Sequence, residues 1–509
     1  MKVALRFDCT PGLGTGHVHR MANLAEELSR IGAEIIYITS SMTIRDDLPA
    51  RIDGFLVETN HISQTNDWDL TINPQTIGNT DTRFEELDAL STLGICNRRK
   101  IDLLILDHYF LNQNWVNILS KNGIPVVAID DLGRDWDNLF SLIDYSPMIK
   151  TKYQNCPGIE HKLFGLQYAL LSKDYREIQR SPQDEVERIQ IFTGGADATG
   201  LTNRLMKIVR PMINHGEKIL LVIGDQNSDS SILHEQWAND ERVEIYTGLK
   251  TLSGINSISN WSIGAGGVAA IERCCAGVPS LVVSIAENQE LISEELSSLG
   301  VITYLGSHNH LSDSDLRTAI ESFKVDGKSR EDMSRVAQER VDPFGVQRVL
   351  MSLLPDLQNM KIRGINFSDS EKLYSWVNDP LVRKNSLNSN FVTRSEHQLW
   401  FRNYLDSASS QMYILEIGDL SIGQVRFDLR DDSWHIDYSI DSKFRGLGLG
   451  KRIIKMGLKE MNSLPVKKYV AEVRDFNKTS QRIFESIGFT LDRSNKDQVI
   501  KYISQPEKE

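Results

Sequence analysis

The run Gly-Ala-Gly-Gly-Val-Ala-Ala-Ile-Glu at residues 264–272 constrains the fold of this chain more than any other segment. An apolar stretch leads into the glycines and a helical pattern starts at Val268, so the run predicts a strand, a tight turn and the start of a helix. Glycine lets the backbone approach a phosphate, and the helix N-terminus offers free N–H groups with the positive end of its dipole. Glu272, one turn into the helix, can accept both hydroxyls of a ribose. The pattern therefore predicts a site for a nucleoside diphosphate.

Apolar strand patterns alternate with helical patterns through the first two-thirds of the chain. The expected strands lie near 2–8, 34–39, 101–107, 125–129, 188–192, 218–223, 243–246, 261–264 and 280–283. Near-continuous apolar strands in β-α-β order are typical of a parallel sheet covered by helices. The predicted fold class is therefore α/β, with two doubly wound, Rossmann-type domains of similar size around a cleft. We expect these domains to span 1–165 and 166–355.

The pattern changes after a junction near 355–361. Consecutive strand patterns with short turns predict an antiparallel meander there. Its strands are expected at 412–417, 421–429 and 433–440, followed by a helix at 451–461, a strand at 467–473, a helix at 478–487 and a last strand at 498–503. We therefore expect a separate α+β domain at 361–505.

Charge and composition limit the partners. The 509 residues carry a net charge of −12, and residues 361–509 hold 24 Lys and Arg against 20 Asp and Glu, a net of +4, so the first 360 residues carry −16. An acidic main body argues against nucleic acid as a partner. The longest apolar runs are strand-sized, so no membrane span is expected. Five cysteines without paired spacing indicate reduced thiols in a cytoplasmic protein and no zinc site.

A second glycine-rich turn, Gly-Leu-Gly-Thr-Gly-His at residues 12–17, joins the first strand to the first helix. The carboxyl ends of parallel strands face the ligand crevice, so His17 is expected to begin a helix at the mouth of the cleft. The positive helix end disfavours an imidazolium ion, which suits a general base. Asp8, at the tip of the strand, could orient His17 or polarise a water. The alternative is a tight turn that His17 merely caps.

Motifs spread along residues 1–355 carry a family resemblance. They are Arg-Phe-Asp at 6–8, Gly-Thr-Gly-His at 14–17, Leu-Asp-His-Tyr at 106–109, Ile-Asp-Asp-Leu-Gly at 129–133, Phe-Thr-Gly-Gly-Ala-Asp at 192–197, the segment 264–274, and Ala-Glu-Asn-Gln at 286–289. With these motifs the region resembles the UDP-sugar hydrolases of pseudaminic (nonulosonic) acid biosynthesis. Those enzymes are relatives of the glycosyltransferase that makes lipid II, and the resemblance implies the same two-lobed GT-B fold.

The resemblance also implies a reaction. His17 would activate a water that attacks the anomeric carbon of a UDP-linked 2,4-diacetamido-2,4,6-trideoxyhexose, and UDP would leave. The implied substrate-binding residues are Gly266 and Gly267 at the phosphates, Glu272 at the ribose, Asn288 and Gln289 at the sugar or phosphates, and Asp107, His108 and Tyr109 along the sugar pocket. His108 competes with His17 as the functional histidine, and a hydrogen-bonded wall residue is its alternative. No metal is expected, because a helix N-terminus can stabilise the departing diphosphate.

The hexad Arg-Gly-Leu-Gly-Leu-Gly at 445–450 follows a strand pattern and opens a helical one. Bare amides and a helix dipole would again face a pyrophosphate. Together with Asn-Lys-Thr-Ser at 477–480 and Phe-Glu-Ser-Ile-Gly-Phe at 484–489, the hexad resembles the acetyl-CoA loop of GNAT N-acetyltransferases, over about 361–505. The residues expected at acetyl-CoA, the implied co-substrate, are Arg445, Gly446, Gly448, Gly450, Lys451 and Asn477.

An amine must lose a proton to attack a thioester, so the transfer needs a base near the acetyl group. Asp437 and Glu472 are the candidates, with surface-facing strand carboxylates as the alternative reading. Many GNAT relatives have a tyrosine acid near the position of Phe484, and phenylalanine cannot donate a proton. Tyr438, a water, or unassisted departure of the thiolate remain open for this step.

The fusion suggests consecutive reactions on one chain. Acetyl-CoA-dependent N-acetylation of the 4-amino group of a UDP-linked amino sugar would precede hydrolysis by water, and pocket shape would decide between a pseudaminic and a legionaminic type of sugar. Three alternatives remain. The first two domains could form a GT-B glycosyltransferase. The third domain could acetylate a protein N-terminus or another amine, a branch that Trp-Val-Asn-Asp-Pro at 376–380 resembles. The chain could also be a nucleotide-sugar sensor that binds without turnover.

Overall fold

The computed structural model divides into two compact units, Met1–Leu353 and Leu354–Glu509. The described residues are 1–8, 16–39, 56–59, 82–147, 153, 156, 158–176, 178, 186–353, 360–405, 407–418, 420–461, 468–492 and 499–504. The first unit contains two parallel sheets, and the second contains one mixed sheet.

The first sheet of the N-terminal unit has seven parallel strands in the order β3-β2-β1-β4-β5-β6-β7. These are β1 (Lys2–Phe7), β2 (Glu34–Thr39), β3 (Leu56–Thr59), β4 (Leu103–Asp107), β5 (Val126–Ile129), β6 (Ser141–Asp144) and β7 (His161–Phe164), with helices α1 (Gly16–Arg30), α2 (Thr82–Arg99) and α3 (Gln113–Lys121). Strands β1, β4, β5 and β6 are buried over nearly their whole length. That burial is what a parallel sheet with helix-covered faces requires.

The second sheet of this unit has six parallel strands in the order β10-β9-β8-β11-β12-β13. The strands are β8 (Glu187–Phe192), β9 (Glu217–Val222), β10 (Val243–Tyr246), β11 (Trp261–Ala265), β12 (Ser280–Ser284) and β13 (Thr303–Ser307). The helices are α4 (Leu201–Val209), α5 (Ser230–Trp237), α6 (Ser253–Ile258), α7 (Val268–Ala276), α8 (Glu290–Ser298), α9 (Asp313–Val325) and α10 (Gly327–Arg340). Asp197 caps α4, since its carboxylate accepts the N–H groups of Leu201 and Thr202.

A further helix of this unit, α11 (Gly345–Leu353), follows α10 of the second sheet along the chain but contacts elements of the first sheet. It packs against α1 of the first sheet. Arg348 Nη1 donates to the carbonyl of Gln167 at 2.6 Å. Gly345 lies so close to Ala169 that an added Cβ would collide with the backbone there. The chain therefore returns, after the second sheet, to pack against the first sheet within the same compact unit.

The C-terminal unit contains one seven-stranded sheet in the order β14-β15-β16-β17-β18-β20-β19. The strands are β14 (Met360–Gly364), β15 (Ser410–Ile417), β16 (Leu420–Arg430), β17 (Ser433–Ile440), β18 (Tyr469–Arg474), β19 (Thr490–Asp492) and β20 (Val499–Ser504). The helices are α12 (Ser370–Val377), α13 (Pro380–Asn385), α14 (Arg394–Leu405), α15 (Leu449–Met461) and α16 (Lys478–Ser486). Strands β14 to β17 are antiparallel neighbours, whereas β17 and β18 pair in parallel.

The predicted fold class is confirmed, because two Rossmann-type parallel sheets precede an α+β unit with an antiparallel meander. Strands β3, β6, β7, β13, β14 and β19 were not expected from the sequence, and neither was the long helix α2. Strand β7 is only four residues long, and β13 is half-buried along its whole length at a sheet edge. The apolar residues of α2 are spread around the helix rather than gathered on one face, so its period is hard to see in the sequence.

The packing of α11 makes a stability prediction. Gly345→Ala should lower the free energy of unfolding of the N-terminal unit by about 1–3 kcal/mol, because the added methyl group has no room beside Ala169. Gly327→Ala is the matched control, since Gly327 also begins a helix and an added Cβ meets nothing within 4 Å. Denaturant unfolding of both variants measures the effect. Equal stability of the two variants would contradict the described packing of α11.

Candidate functional site

His17 and Asp107 form a buried pair where β1 and β4 end. These strands are neighbours in register, with Phe7 opposite Asp107, so their carboxyl ends meet beside the start of α1. His17 Nδ1 lies 2.7 Å from Asp107 Oδ1. Arg20 Nη2 also lies 2.9 Å from Nδ1, but it donates to Asp107 Oδ1 at the shorter distance of 2.7 Å. An unprotonated Nδ1 would repel the carboxylate oxygen at 2.7 Å, so we assign the proton of this contact to Nδ1. Among the described residues His17 Nε2 has no hydrogen-bond partner, which leaves this nitrogen available to accept a proton.

Arg20, one turn further along α1, holds Asp107 in place. Its Nε donates to Asp107 Oδ2 at 2.6 Å and its Nη2 donates to Oδ1 at 2.7 Å. Burial disfavours ionisation of Asp107, but Arg20 and His17 outweigh it and lower the pKa of the carboxyl to about 2. Arg20 also donates to Asp131 and to the hydroxyl of Tyr145. The carboxylate that orients His17 is therefore ionised and held by a guanidinium.

Asp8 and His108 form a separate pair, which corrects the expectation that Asp8 orients His17. The Asp8 carboxylate accepts two bonds from Arg6, at 2.8 and 3.1 Å, and lies 3.0 Å from His108 Nε2. His108 Nδ1 accepts the backbone N–H of Phe110 at 3.1 Å. Burial raises the pKa of Asp8, yet Arg6 and His108 outweigh it and bring that pKa well below its usual range. Both nitrogens of His108 are occupied, so its geometry is that of a wall residue.

The glycine turn before α7 has the geometry of an open anion site. Gly267 precedes α7 with a φ of 75°, and within the described part of the chain no side chain caps this helix. A Cβ on Gly266 would lie 2.7 Å from Ser293 Oγ and 3.3 Å from Gln289 Cβ. Gln289 thus packs beside the turn, and its Oε1 accepts the N–H of Ile285 at 3.2 Å. The first N–H groups of α7 remain free for an anion.

The starts of α1 and α7 lie close together across the cleft of the N-terminal unit, and residues 12–15 of the first glycine-rich turn lie outside the described residues. A Cβ on Gly16, the first residue of α1, would be 4.0 Å from Val268 Cγ2, at the start of α7. Asn288 Nδ2 donates to the hydroxyl of Tyr109 at 3.2 Å, and the Tyr109 ring packs edge-on at 4.6 Å from the His17 ring. The structure therefore brings the predicted residues from both parallel sheets to one site.

Glu272 lies on α7 next to this turn and is not ion-paired. Burial raises the pKa of its carboxyl to about 7, and the neighbouring Arg273 offsets only part of that effect. Among the described residues no hydrogen bond reaches the carboxylate. Arg273 is fully buried and donates to the carbonyl of Ala265 at 2.7 Å, and burial lowers its pKa to about 10. A carboxylate in this setting is suited to accepting hydroxyl groups from a ligand.

The C-terminal unit contains a cleft of about 1130 Å³ beside the glycine hexad at 445–450. Gly446 and Gly448 have φ values of 82° and 72°, which L side chains rarely adopt. A Cβ on Gly450 would lie 3.0 Å from Ile483 Cδ1 and from Tyr438 Cε2. Helix α15 begins inside the hexad. The glycines therefore form a narrow backbone loop at a helix N-terminus that lines the cleft, which fits a pyrophosphate.

Two of the residues expected at acetyl-CoA are engaged with protein groups. Arg445 Nε donates to the carbonyl of Ile440 at 3.0 Å, and Nη2 donates to Asp379 Oδ1 at 2.8 Å. Arg445 therefore ties the loop to the cap of α13, rather than offering its whole guanidinium to a phosphate. Asn477 caps α16, since its Oδ1 accepts the N–H of Ser480 at 3.2 Å. Lys451 lies in the first turn of α15, beside the loop.

The two candidate bases differ in their partners. Asp437 accepts a bond of 2.7 Å from Arg426 Nη2, whereas Glu472 Oε2 lies 3.5 Å from His435 Nδ1. His435 was not among the residues predicted from the sequence, although alternation along the strand places it on the same face as Asp437. Tyr438 points to the other face, with its hydroxyl 2.9 Å from Ser480 Oγ.

The described residues contain neither a metal-binding group nor a membrane-spanning helix. No group of three or more histidine, cysteine, aspartate or glutamate side chains that could hold a metal ion occurs among the residues that the structure describes. Within the same ranges, no helix combines the length and apolar character needed to cross a bilayer.

Comparison with known proteins identifies the C-terminal unit. The family model of the acetyltransferase (GNAT) domain matches residues 359–490. An uncharacterized protein of Methanocaldococcus jannaschii is 21% identical over 524 residues, covering 98% of each chain. MurG of Acinetobacter baumannii is 13% identical over 69% of this chain and 98% of its own, with a TM-score of 0.49. Spermidine N-acetyltransferase of Vibrio cholerae is 14% identical over 29% of this chain and 95% of its own, with a TM-score of 0.27. The C-terminal unit therefore contains a GNAT acetyltransferase domain.

The hydrogen bonds of the two histidines predict opposite tautomers. His17 should carry its proton on Nδ1, facing Asp107, and His108 should carry its proton on Nε2, facing Asp8. Nitrogen NMR of protein labelled in histidine distinguishes the two forms, and His17→Gln and His108→Gln assign the signals. The same tautomer at both positions would contradict the described geometry.

Proposed function

We propose that the N-terminal unit hydrolyses a UDP-linked 2,4-diacetamido-2,4,6-trideoxyhexose to the free sugar and UDP. We further propose that the GNAT domain acetylates the 4-amino group of the UDP-linked precursor, so that one chain catalyses consecutive steps of nonulosonic acid biosynthesis. The observation that carries the first part is the His17–Asp107 pair, 2.7 Å apart and next to the uncapped start of α7.

In the proposed hydrolysis, His17 Nε2 takes a proton from a water whose oxygen attacks the anomeric carbon. The bond from that carbon to the diphosphate oxygen breaks, and its electron pair leaves with UDP. Asp107 stabilises the imidazolium as it forms, which is the usual role of a carboxylate behind a catalytic histidine. The amides of Gly266 and Gly267 and the start of α7 stabilise the charge that develops on the diphosphate.

The remaining cleft residues support binding in this proposal. Glu272 accepts the ribose hydroxyls, and its lack of an ion pair favours that role. Asn288 and Tyr109, linked at 3.2 Å, border the sugar. Asp8 and His108 form a wall behind the sugar. Gln289 acts on the phosphates through the glycine turn that it packs against.

The residues of the GNAT cleft fit acetyl-CoA, which supplies an activated acetyl thioester when bound. In the proposal, the amides of Gly446, Gly448 and Gly450 and the start of α15 bind its pyrophosphate, with Lys451 adding a positive charge. Asn477 uses its oxygen as a helix cap, so its amide nitrogen is the atom that would donate to the pantetheine arm.

Product analysis by mass spectrometry tests the combined proposal. Incubation of the full chain with acetyl-CoA and a UDP-linked 2-acetamido-4-amino-2,4,6-trideoxyhexose should yield free diacetamido sugar and UDP, with no added sugar acceptor. His17→Ala should still acetylate but should accumulate the uncleaved UDP-diacetamido sugar. Asp107→Asn should lower the hydrolysis rate by about 10²–10⁴-fold, since it disturbs the tautomer and the imidazolium.

Acetylation in the same sample shows that the C-terminal unit is intact, and binding of UDP to His17→Ala and Asp107→Asn, measured by calorimetry, is the control for folding of the N-terminal unit. Wild-type hydrolysis by His17→Ala would overturn the assigned base. Release of UDP only after an acceptor sugar is added would instead indicate a glycosyltransferase.

The pKa of Glu272 predicts a pH-dependent affinity for the nucleoside. A raised pKa means that the carboxyl takes up a proton as the pH falls through about 7, and the protonated form is a poorer acceptor of two hydroxyls. Uridine affinity should therefore fall by up to about tenfold per pH unit below that value. Glu272→Gln should bind weakly with little pH dependence, and calorimetry between about pH 5 and pH 8 measures both proteins. Uridine has no phosphate to titrate in this range. Equal pH dependence in both proteins would exclude Glu272 from the ribose site.

A further inference from the structure

His435 is the one imidazole among the described residues that line the acetyltransferase cleft. It lies on β17, and its Nδ1 is 3.5 Å from Oε2 of Glu472 on β18, which lines the same cleft. Within the described ranges this nitrogen is buried and has no hydrogen bond. The side chains of the pair are 19% and 28% exposed, so they are shielded but still accessible to a substrate.

Strand register places this pair where β17 and β18 separate. Their parallel pairing runs through His435–Val470 to Ile436–Ala471 and stops there, although both strands continue. Glu472 is the first residue of β18 beyond the last pair. A gap between parallel strands admits an extended ligand arm, because the backbone groups on its edges are no longer paired. The imidazole and the carboxylate therefore lie beside the opening that a thioester would enter.

Asp437, the other candidate base, is already committed to a cation. Arg426 donates to it at 2.7 Å, and Arg426 also forms an ion pair of 3.2 Å with Asp428. The 2.7 Å bond engages Oδ2 of Asp437, and a proton taken up by this carboxylate would remove the charge that holds the ion pair with Arg426. Within the described part of the chain, no guanidinium or ammonium group bonds to the ring of His435.

The charged groups around His435 have opposing effects. They are Asp428 and Arg430 on β16, Asp437 on its own strand, Glu472 on β18 and Lys501 on β20. Burial lowers the pKa of His435, Arg430 and Lys501 add to this effect, and Glu472 opposes it. Near neutral pH the ring is therefore uncharged and can accept a proton.

We propose that His435 is the general base of acetyl transfer and that Glu472 orients its ring. The amine nitrogen attacks the carbonyl carbon of the thioester, the C–N bond forms, and the C–S bond breaks with its electron pair on sulfur. The proton of the amine passes to His435 Nε2. The thiolate then takes a proton from solvent, and the imidazolium releases its own to solvent. This role rests on the acetyltransferase part of the proposed function, whatever amine is the acceptor.

Steady-state kinetics of the full chain with acetyl-CoA tests the role. Two amines serve as probes: the UDP-linked 2-acetamido-4-amino-2,4,6-trideoxyhexose, and n-butylamine at high concentration. His435→Gln should lower kcat/KM by about 10²–10⁴-fold. Its acid limb should depend on one proton, that of the amine substrate, instead of the two expected when His435 must also be unprotonated. Its affinity for coenzyme A, measured by calorimetry, should match wild type, which shows that the variant is folded.

Two further variants should move the acid limb in opposite directions. Glu472→Gln removes the anion that favours the imidazolium, so the limb should shift to lower pH. Lys501→Gln removes a cation that disfavours it, so the limb should shift to higher pH. A residue with a merely structural role would not produce paired shifts of opposite sign.

Three results would overturn the assignment. They are an acid limb in His435→Gln that still depends on two protons, an acid limb that depends on one proton only in Asp437→Asn, and no acetylation of either amine. Acetylation of n-butylamine alone, with one proton left in the acid limb of His435→Gln, would support His435 while removing the amino sugar from the proposed function.

Discussion

The buried carboxylate of Asp107 is the constraint on which the N-terminal site depends. An ionised group with no solvent exposure is stable only when other charges and hydrogen bonds replace water. Arg20 supplies two bonds and His17 a third. Because both of these residues lie on the first turns of α1, the helix that presents the imidazole also carries the cation that fixes its partner. Removing one member of such a buried pair typically costs about 3–5 kcal/mol. The contacts that stabilise the buried Asp107 carboxylate therefore also fix the orientation of the His17 ring.

A second electrostatic constraint comes from the other side of the cleft. Helices α1 and α7 begin close together, with Gly16 beside Val268, and each helix start has a partial positive charge of about half an elementary charge. Two such ends placed close together repel, and at α7 the described residues include no capping side chain. An anion between the two ends would remove the repulsion and fill the free N–H groups. The positive helix ends can therefore bind a diphosphate even though the first 360 residues carry a net negative charge.

Local features of the sequence predicted much of the architecture, and long-range pairing explains most of the differences. The glycine turns at 264–267 and 445–450 and the strand patterns depend on a few neighbouring residues, so they were visible in the sequence. The partner of His17 was not, because Asp8 and Asp107 both end strands of one sheet, and the register and burial of both strands decide between them. The partner of Arg445 could not be predicted for the same reason, because Asp379 is distant from it in the sequence. Arg20 was detectable in principle, as a cation three residues after a helix-starting histidine.

The imidazole–carboxylate pairs of the two units differ in a way that matches their proposed reactions. Water is a very weak acid, so its activation needs a base whose conjugate acid is strongly stabilised at the moment of attack. The tight, fully buried contact of His17 with Asp107 provides this. An amine is already a good nucleophile once neutral, so its base needs only to remove a proton and then return it to solvent. The longer contact of His435 with Glu472, in a partly exposed cleft, suits that exchange. The degree of burial of each histidine thus follows from how difficult its proton transfer is.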